Sequence, residues 1–507
     1  SLFHSTVVRT STGAFRVWGE DAGSNGTNDL TTPTNLGGLP SGHRFLKVTG
    51  ASTGNSNEGQ FVALTTDGIY AWGNVGKVIP STLKNTATFG RIGNTNGSST
   101  SNLPPGVAPG DVKMLTAGGD FNFLVLTTCS GDVWVLSGTP STRGNGALPD
   151  APGIVGEDHW SKVLTAANTP LTGIIAARVN RGTVIALKND NTIWTWGAVT
   201  RRGNGTNPLD RNFATSMTHP ASSKTIKMIG ITTGSNSSNI PTYYVLMTDG
   251  NLYSMGAGEE GQLGRWGTTS SNVWVQPRYT SSAGPVMDDI AWISPNEHDD
   301  AFAAINVITN TGTLYSWGSD PLSMIGNPTG NPAIPGGLTS TDKILAVATG
   351  GHTSMVVKEC VTNFGYVGHN INGSMGNGGS AQPTTYSFST AAVSICGAFT
   401  PPATFSITPA ANGTSYCLNT PYTLQGTPAG GVFSITAGGS LATLSGNQIT
   451  FTGAGNVTVR YNASGVCASA GLVNLVMTAA VCAPLPTIEA ITETTPAVNG
   501  TTGGTTA

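Results

Sequence analysis

Through residues 1–398 the chain repeats one pattern: an apolar run, a tight turn, then a second run ending in an aromatic residue and glycine. The second runs are Ala-Phe-Arg-Val-Trp-Gly ending at Gly19, Asp-Gly-Ile-Tyr-Ala-Trp-Gly at Gly73 and Gly-Asp-Val-Trp-Val-Leu-Ser at Ser137. Asn-Thr-Ile-Trp-Thr-Trp-Gly ends at Gly197 and Asp-Gly-Asn-Leu-Tyr-Ser-Met-Gly at Gly256. Thr-Gly-Thr-Leu-Tyr-Ser-Trp-Gly ends at Gly318 and Asn-Phe-Gly-Tyr-Val-Gly at Gly368, making seven copies 50 to 64 residues apart. Upstream of each lies an apolar run such as Gln60-Phe-Val-Ala-Leu-Thr-Thr. Turn dipeptides such as Asp67-Gly68 and Asp249-Gly250 separate the two, which is a strong hairpin signal. Gly-rich text follows, as in Gly144-Asn-Gly, Gly203-Asn-Gly, Gly261-Gln-Leu-Gly and Gly376-Asn-Gly. Each copy therefore predicts a small antiparallel sheet. Such a sheet cannot bury its faces alone, so the copies must stack, and a ring of four-stranded blades is the economical solution.

The ends of the repeat region predict closure of that ring. His4-Ser5-Thr6-Val7-Val8 matches the middle of the last copy, His352-Thr-Ser-Met-Val-Val, so the first copy lacks its opening strand. The missing text stands after the seventh copy, at Ala392-Val-Ser-Ile-Cys-Gly-Ala. A strand from there would complete the first blade and remove an exposed sheet edge.

Gly350-Gly-His-Thr353, the Asp-Gly turns, the aromatic-x-Trp-Gly ends and Glu260-Gly-Gln-Leu-Gly264 resemble the repeats of the regulator-of-chromosome-condensation propellers. Leu136-Ser137 and Val367-Gly368 depart from that pattern. The resemblance covers residues 1–398 and implies a seven-bladed β-propeller whose loops bind proteins. It implies no single activity, since the family includes both a nucleotide exchange factor acting on chromatin and a secreted bacterial inhibitor of β-lactamases.

After Phe399 the pattern changes. Residues 399–402 read as a linker, and residues 403–486 carry about seven short alternating runs separated by Gly, Pro or Asn, the spacing of an immunoglobulin-like β-sandwich. Tyr416-Cys417, Gly430-Gly-Val-Phe-Ser and Gly465-Val-Cys467 resemble the immunoglobulin-like modules of large Bacteroidetes surface proteins. Residues 487–507 are rich in Thr and Gly and read as a flexible linker or tail. The second resemblance implies a gliding-type bacterium, and export by type IX secretion with a C-terminal sorting domain beyond this chain.

Composition narrows the function. Of 507 residues, 10% are charged and the net charge is -3, with 69 Gly and 29 Pro. Lys and Arg total 23 and do not cluster, which excludes a nucleic-acid footprint. No apolar run is long enough to span a bilayer as a helix. The chain starts at Ser1, which reads as a processed or trimmed N-terminus, and the polar, charge-poor composition suits an extracellular or cell-surface location.

No nucleophile elbow, metalloprotease helix or phosphate loop occurs, so the expectation is a protein with no catalytic residues, no cofactor and no metal. The six cysteines include no Cys-x-x-Cys. Cys417 and Cys467 flank the sandwich strands and are candidates for a disulfide; Cys482 is left without an assigned pairing. Cys396 reads as a small packing residue. Cys129 and Cys360 occupy one hairpin slot in distant repeats, which argues against a bond between them. Asn296-Glu-His-Asp-Asp300 is the densest polar cluster and is expected to be a solvated loop rather than a calcium site. Trp18, Trp72, Trp196 and Trp317 are expected to pack between blades. Trp160, Trp266, Trp274, Trp292 and Tyr279 fall outside the hairpin pattern and are the candidate ligand-binding residues, suited to stacking on sugars or anchoring a protein. The expected function is an adhesin for a surface glycan or protein, with secretion or surface-anchoring machinery as a further partner. The alternative is an inhibitor or regulator of one partner protein.

Overall fold

A computed structural model describes residues 2–390 apart from 3, 11–12, 25–27, 53–58, 119–121, 148–156, 201–202, 206–210, 235–239, 300, 329 and 360. It also describes 404–480 apart from 412–414, 428–431 and 463–471, together with 491–493. The chain divides into two compact units, Ser1–Cys396 and Gly397–Ala507. Strands dominate both, and the helical elements among the described residues are three single 3₁₀ turns.

Each sequence repeat in the first unit is one antiparallel sheet of three or four strands in chain order. The fourth repeat is typical, with Ile174–Asn180, Thr183–Lys188, Ile193–Gly197 and Arg211–Met217 side by side. The second strand is buried on both faces: every residue of Gly59–Thr65, Phe123–Thr128, Thr242–Met247 and Ala304–Thr309 is buried. That burial explains why these runs are nearly continuous in apolar residues. The opening strand breaks register after its first residue in six repeats, at Phe45/Lys47, Val112/Met114, Ile174/Ala176, Ile226/Met228, Ile290/Trp292 and Ile344/Ala346. One extra residue there adds twist to each sheet.

The Trp-Gly ends and Gly-rich connections are two halves of one contact. Trp18 Nε1 donates to Ser374 O at 3.0 Å, Trp72 Nε1 to Ala22 O at 3.1 Å and Trp317 Nε1 to Gln262 O at 2.9 Å. In each case the acceptor lies in the connection of the preceding repeat. Glycine lets the chain approach: a Cβ on Gly376 would stand 2.8 Å from Trp18, and one on Gly144 2.6 Å from Trp196. The Trp18 contact hooks the first repeat onto the seventh and closes the series.

The first sheet has three described strands, Ser5–Arg9, Phe15–Gly19 and Leu30–Asn35. The opening strand is absent from that sheet among the described residues; the expected completing segment, 392–398, lies outside them.

The segment expected to be a solvated loop is packed against distant repeats. Asn296 and Asp299 are buried. Thr232 Oγ1 donates to Asn296 O at 2.8 Å, Asn296 Nδ2 to Gly351 O at 2.9 Å, and Asn180 Nδ2 to Asp299 O at 2.7 Å. His298 Nδ1 lies 3.1 Å from Gly50 O, and Arg178 Nε lies 3.6 Å from Glu297 Oε1. Residues 296–299 thus touch the second, fourth, fifth and seventh repeats. Contacts with that many repeats tie the interior together, and they bury polar groups that composition alone assigns to solvent.

In the second unit a five-stranded and a four-stranded sheet share a core of Phe405, Ile407, Tyr416, Tyr422, Ile449, Phe451, Val457, Tyr461 and Met477. Tyr416–Cys417 pairs in parallel with Leu472–Ala480. Ile491–Glu493 pairs antiparallel with Thr404–Thr408, so these three residues of the expected flexible tail are a sheet strand. Linker residues 399–402 and the remainder of 487–507 lie outside the described residues.

Candidate functional site

The five aromatic candidates occupy different environments. Trp160 is buried in the core shared by the second and third repeats, its Nε1 donating to Asn102 O at 3.1 Å. It is a packing residue, and no ligand can reach its ring. Trp274 is half-buried against the fourth and fifth repeats, with Nε1 donating to Thr218 O at 2.7 Å. Tyr279 is half-buried, donates its hydroxyl to the Asp289 carboxylate, and meets Tyr315 edge-on at 5.0 Å. Burial and that carboxylate push its phenol far above the ordinary value. Trp292 is 46% exposed on the opening strand of the sixth repeat.

Trp266 differs from the others. It sits at φ +65° in the long connection after the fifth repeat, and Nε1 donates to Arg278 O at 3.0 Å. Trp266 is among the residues that line a cleft of about 430 Å³. The cleft lies between the connections of the fifth and sixth repeats. Glu259, Glu260, Asp320 and Asn331 supply polar side chains, and Gly261, Gly267, Gly318 and Gly330 supply bare backbone.

The glycines are needed where the two connections meet, since a Cβ on Gly261 would stand 2.0 Å from Gly330 O. Asp320 holds the far wall: Ile325 N donates to its Oδ1 at 3.0 Å and Asn327 N to its Oδ2 at 2.5 Å. Burial raises its carboxyl to about 6 despite those donors. The cleft therefore brings a tryptophan whose indole is tied to Arg278 O together with carboxylate and amide residues. Aromatic rings offer a flat apolar surface, and carboxylates accept hydroxyl donors.

Cys417 is disulfide-bonded, and its expected partner Cys467 lies outside the described residues. Cys129 is also disulfide-bonded, a role the sequence did not assign to it. Cys360, Cys396 and Cys482 lie outside the described residues. One His/Asp/Glu/Cys group among the described residues gathers like a metal-ligand set: His4, His352 and His369. Sequence spacing hides it, because His4 and His352 are 348 residues apart. The visible signal was the alignment of His4 with His352 as equivalent repeat positions, which ring closure converts into adjacency.

No family model matches the chain, and no curated protein matches it in sequence. Solved structures do match. Human WBSCR16 superposes with a TM-score of 0.52 at 13% identity, covering 71% of this chain and 84% of that one. Yeast RCC1 (Prp20), solved bound to Kap60, gives a TM-score of 0.52 at 16% identity, covering 77% and 86%. The fold is an RCC1-like β-propeller. At these identities the likeness concerns the fold, and the propeller's activity has to be argued from its own residues. No helix among the described residues is long and apolar enough to cross a membrane.

Proposed function

We propose that this chain is an exported, non-catalytic adhesin whose propeller takes a carbohydrate in the cleft beside Trp266. The observation that carries the reading is that Trp266, its indole tied to Arg278 O, lines one cleft together with Glu259, Glu260, Asp320 and Asn331. A sugar presents an apolar C–H face to the indole and a rim of hydroxyls to the carboxylates and amide. An extracellular or cell-surface location fits the disulfide-bonded Cys129 and Cys417, since such bonds persist in oxidising compartments.

In this reading the seven small sheets are the blades of a seven-bladed ring, completed by a strand from 392–398. The C-terminal unit is an immunoglobulin-like spacer of the kind strung along bacterial surface proteins, stapled by Cys417 and Cys467. The ring presents its cleft from a rigid scaffold, the usual way loops acquire binding roles.

A glycan array probed with the whole chain and with Trp266→Ala tests the proposal. Saturable binding to a defined set of glycans, lost in the variant, supports it. Absence of binding to any glycan, or binding unchanged in the variant, overturns it.

A further inference from the structure

We propose that His4, His352 and His369 bind one divalent first-row transition ion, zinc foremost, which fastens the first repeat of the propeller to the seventh. One ring nitrogen from each residue lies within 4.8 Å of the others. The ring centroids stand 4.7 Å apart for His4 and His352, 5.0 Å for His4 and His369, and 5.9 Å for His352 and His369. His4 precedes Ser5–Arg9 in the first sheet. The other two flank the seventh sheet's hairpin, where His369 N donates to His352 O at 3.0 Å and Tyr366 Oη to His369 O at 2.7 Å. The backbone therefore holds the two seventh-repeat rings side by side before any ion arrives.

The carboxylates around the group dictate where its protons go. Glu20 Oε2 lies 2.7 Å from His4 Nδ1, and Asn372 Nδ2 donates to Glu20 Oε1 at 2.9 Å. His4 thus carries its proton on Nδ1, and its Nε2 lone pair faces inward. It faces His352 Nδ1 at 2.8 Å. On the outer side of His352, Asp299 Oδ2 stands 3.1 Å from Nε2, close enough to attract a proton there although out of line for a hydrogen bond. Ala301 N donates to Asp299 Oδ1 at 2.8 Å and fixes that carboxylate. His4 Nε2 and His352 Nδ1 thus face each other at 2.8 Å, where a proton on His352 Nδ1 can be donated to the His4 lone pair or a metal ion can replace it.

In the metal-free protein one proton on His352 Nδ1 fills that place with both rings neutral. His369 discriminates between a proton and a metal. Its Nδ1 is buried with no hydrogen-bond partner among the described residues, beside a pair that a proton bridge would already satisfy. A metal ion uses a third imidazole.

Carboxylates on the outer nitrogens of metal-bound histidines are a recurrent arrangement that fixes tautomer and ring orientation. Three imidazoles suit zinc, copper or nickel and not calcium or magnesium, which take oxygen donors. Zinc–nitrogen distances of about 2.1 Å place tetrahedral ligand atoms about 3.4 Å apart, so His4 and His352 would separate slightly while the wider pairs close. Joining residues 348 positions apart, the ion would act as a clip on ring closure.

The test uses the full chain, stripped with a chelator and titrated with Zn²⁺, Co²⁺ and, as a control, Ca²⁺. The expected result is one Zn²⁺ per chain, a melting temperature raised by about 3–5 °C at a hundredfold excess over Kd, and a tetrahedral Co²⁺ absorption band. Calcium should do none of this. His369→Ala should lose the uptake and the band while its metal-free melting temperature stays near that of the stripped parent. Uptake retained in both His369→Ala and His352→Ala overturns the proposal. So does a stripped parent that takes up no stoichiometric Zn²⁺ and shows no Co²⁺ band, and that titration decides the question even if a variant fails to fold.

Discussion

If each repeat is held to the next by a tryptophan seated on a glycine, adding a single methyl group to that glycine should unseat it. Gly264 lies at φ +68°, and a Cβ there would stand 2.9 Å from Pro277 Cβ and 2.9 Å from Trp317 Nε1. Two costs follow for Gly264→Ala. The left-handed backbone costs alanine about 1 kcal/mol, and forcing a methyl into a filled site costs about 1–3 kcal/mol. Displacing the indole also weakens the 2.9 Å bond from Trp317 to Gln262 O, worth about 1 kcal/mol. Gly97 supplies the control, because it has φ +69° and open space within 4 Å of its Cβ position. Gly97→Ala should therefore show the backbone cost alone. Urea unfolding followed by tryptophan fluorescence should place Gly264→Ala about 2–3 kcal/mol below Gly97→Ala. Equal losses in the two variants would refute the packing argument, since the backbone conformation is shared and only the neighbour differs.

Other predictions follow from the same geometry. Glu297 is 14% exposed at its side chain, and burial raises its carboxyl from 4.5 to about 7, with Arg178 opposing the shift. The folded state thus holds the proton more tightly than the unfolded chain, and this stabilisation is complete below about pH 4.5 and lost as pH rises through 7. Glu297→Gln should remove that slope, gaining about 2.5 kcal/mol relative to the parent at pH 8 over its value at pH 5 in paired urea titrations; parallel pH profiles would contradict it. His298, held down to about 4 by burial, runs the opposite way: its contribution is present above about pH 6.5 and fades as pH falls toward 4. Trp160→Ala should cost about 3–5 kcal/mol of stability through the cavity it leaves, with glycan binding by the folded fraction unchanged. Reducing the disulfide at Cys417 should lower the melting temperature of the C-terminal unit, an effect absent in Cys417→Ala.

What the sequence made legible, and what it hid, divides by the reach of the contacts. The hairpins and their repetition were readable because turn residues and apolar runs lie within a few positions of each other. The inter-repeat hook was half-readable: Trp18, Trp72 and Trp317 stood out as packing residues, but the carbonyls they bond lie in other repeats. Residues 296–299 look solvated because Asn, Glu, His and Asp are polar. Their partners, among them Gly351 and Gly50, are 55 and 248 residues away and invisible to any local pattern.

The same limit separated Trp160 from Trp266. Both stand in connections after a repeat hairpin, and both donate their indole N–H to a backbone carbonyl. Trp160 is covered because the connection carrying Asn102, 58 residues earlier, folds over it. Trp266 instead lines the cleft, together with glycines of both connections. Nothing in the residues adjacent to either tryptophan records that difference.

The most direct test of the carbohydrate reading is calorimetric titration of the parent protein and Trp266→Ala with the glycan that binds best on the array. Loss of one anchoring indole should weaken binding by about tenfold, the effect expected when truncation of an aromatic anchor costs more than about 1 kcal/mol. Melting temperature should hardly move, because Trp266 is half-buried at φ +65°, a conformation that gives alanine no new strain. An unchanged Kd in a fully folded Trp266→Ala protein would contradict the account and remove the cleft from consideration as the binding site.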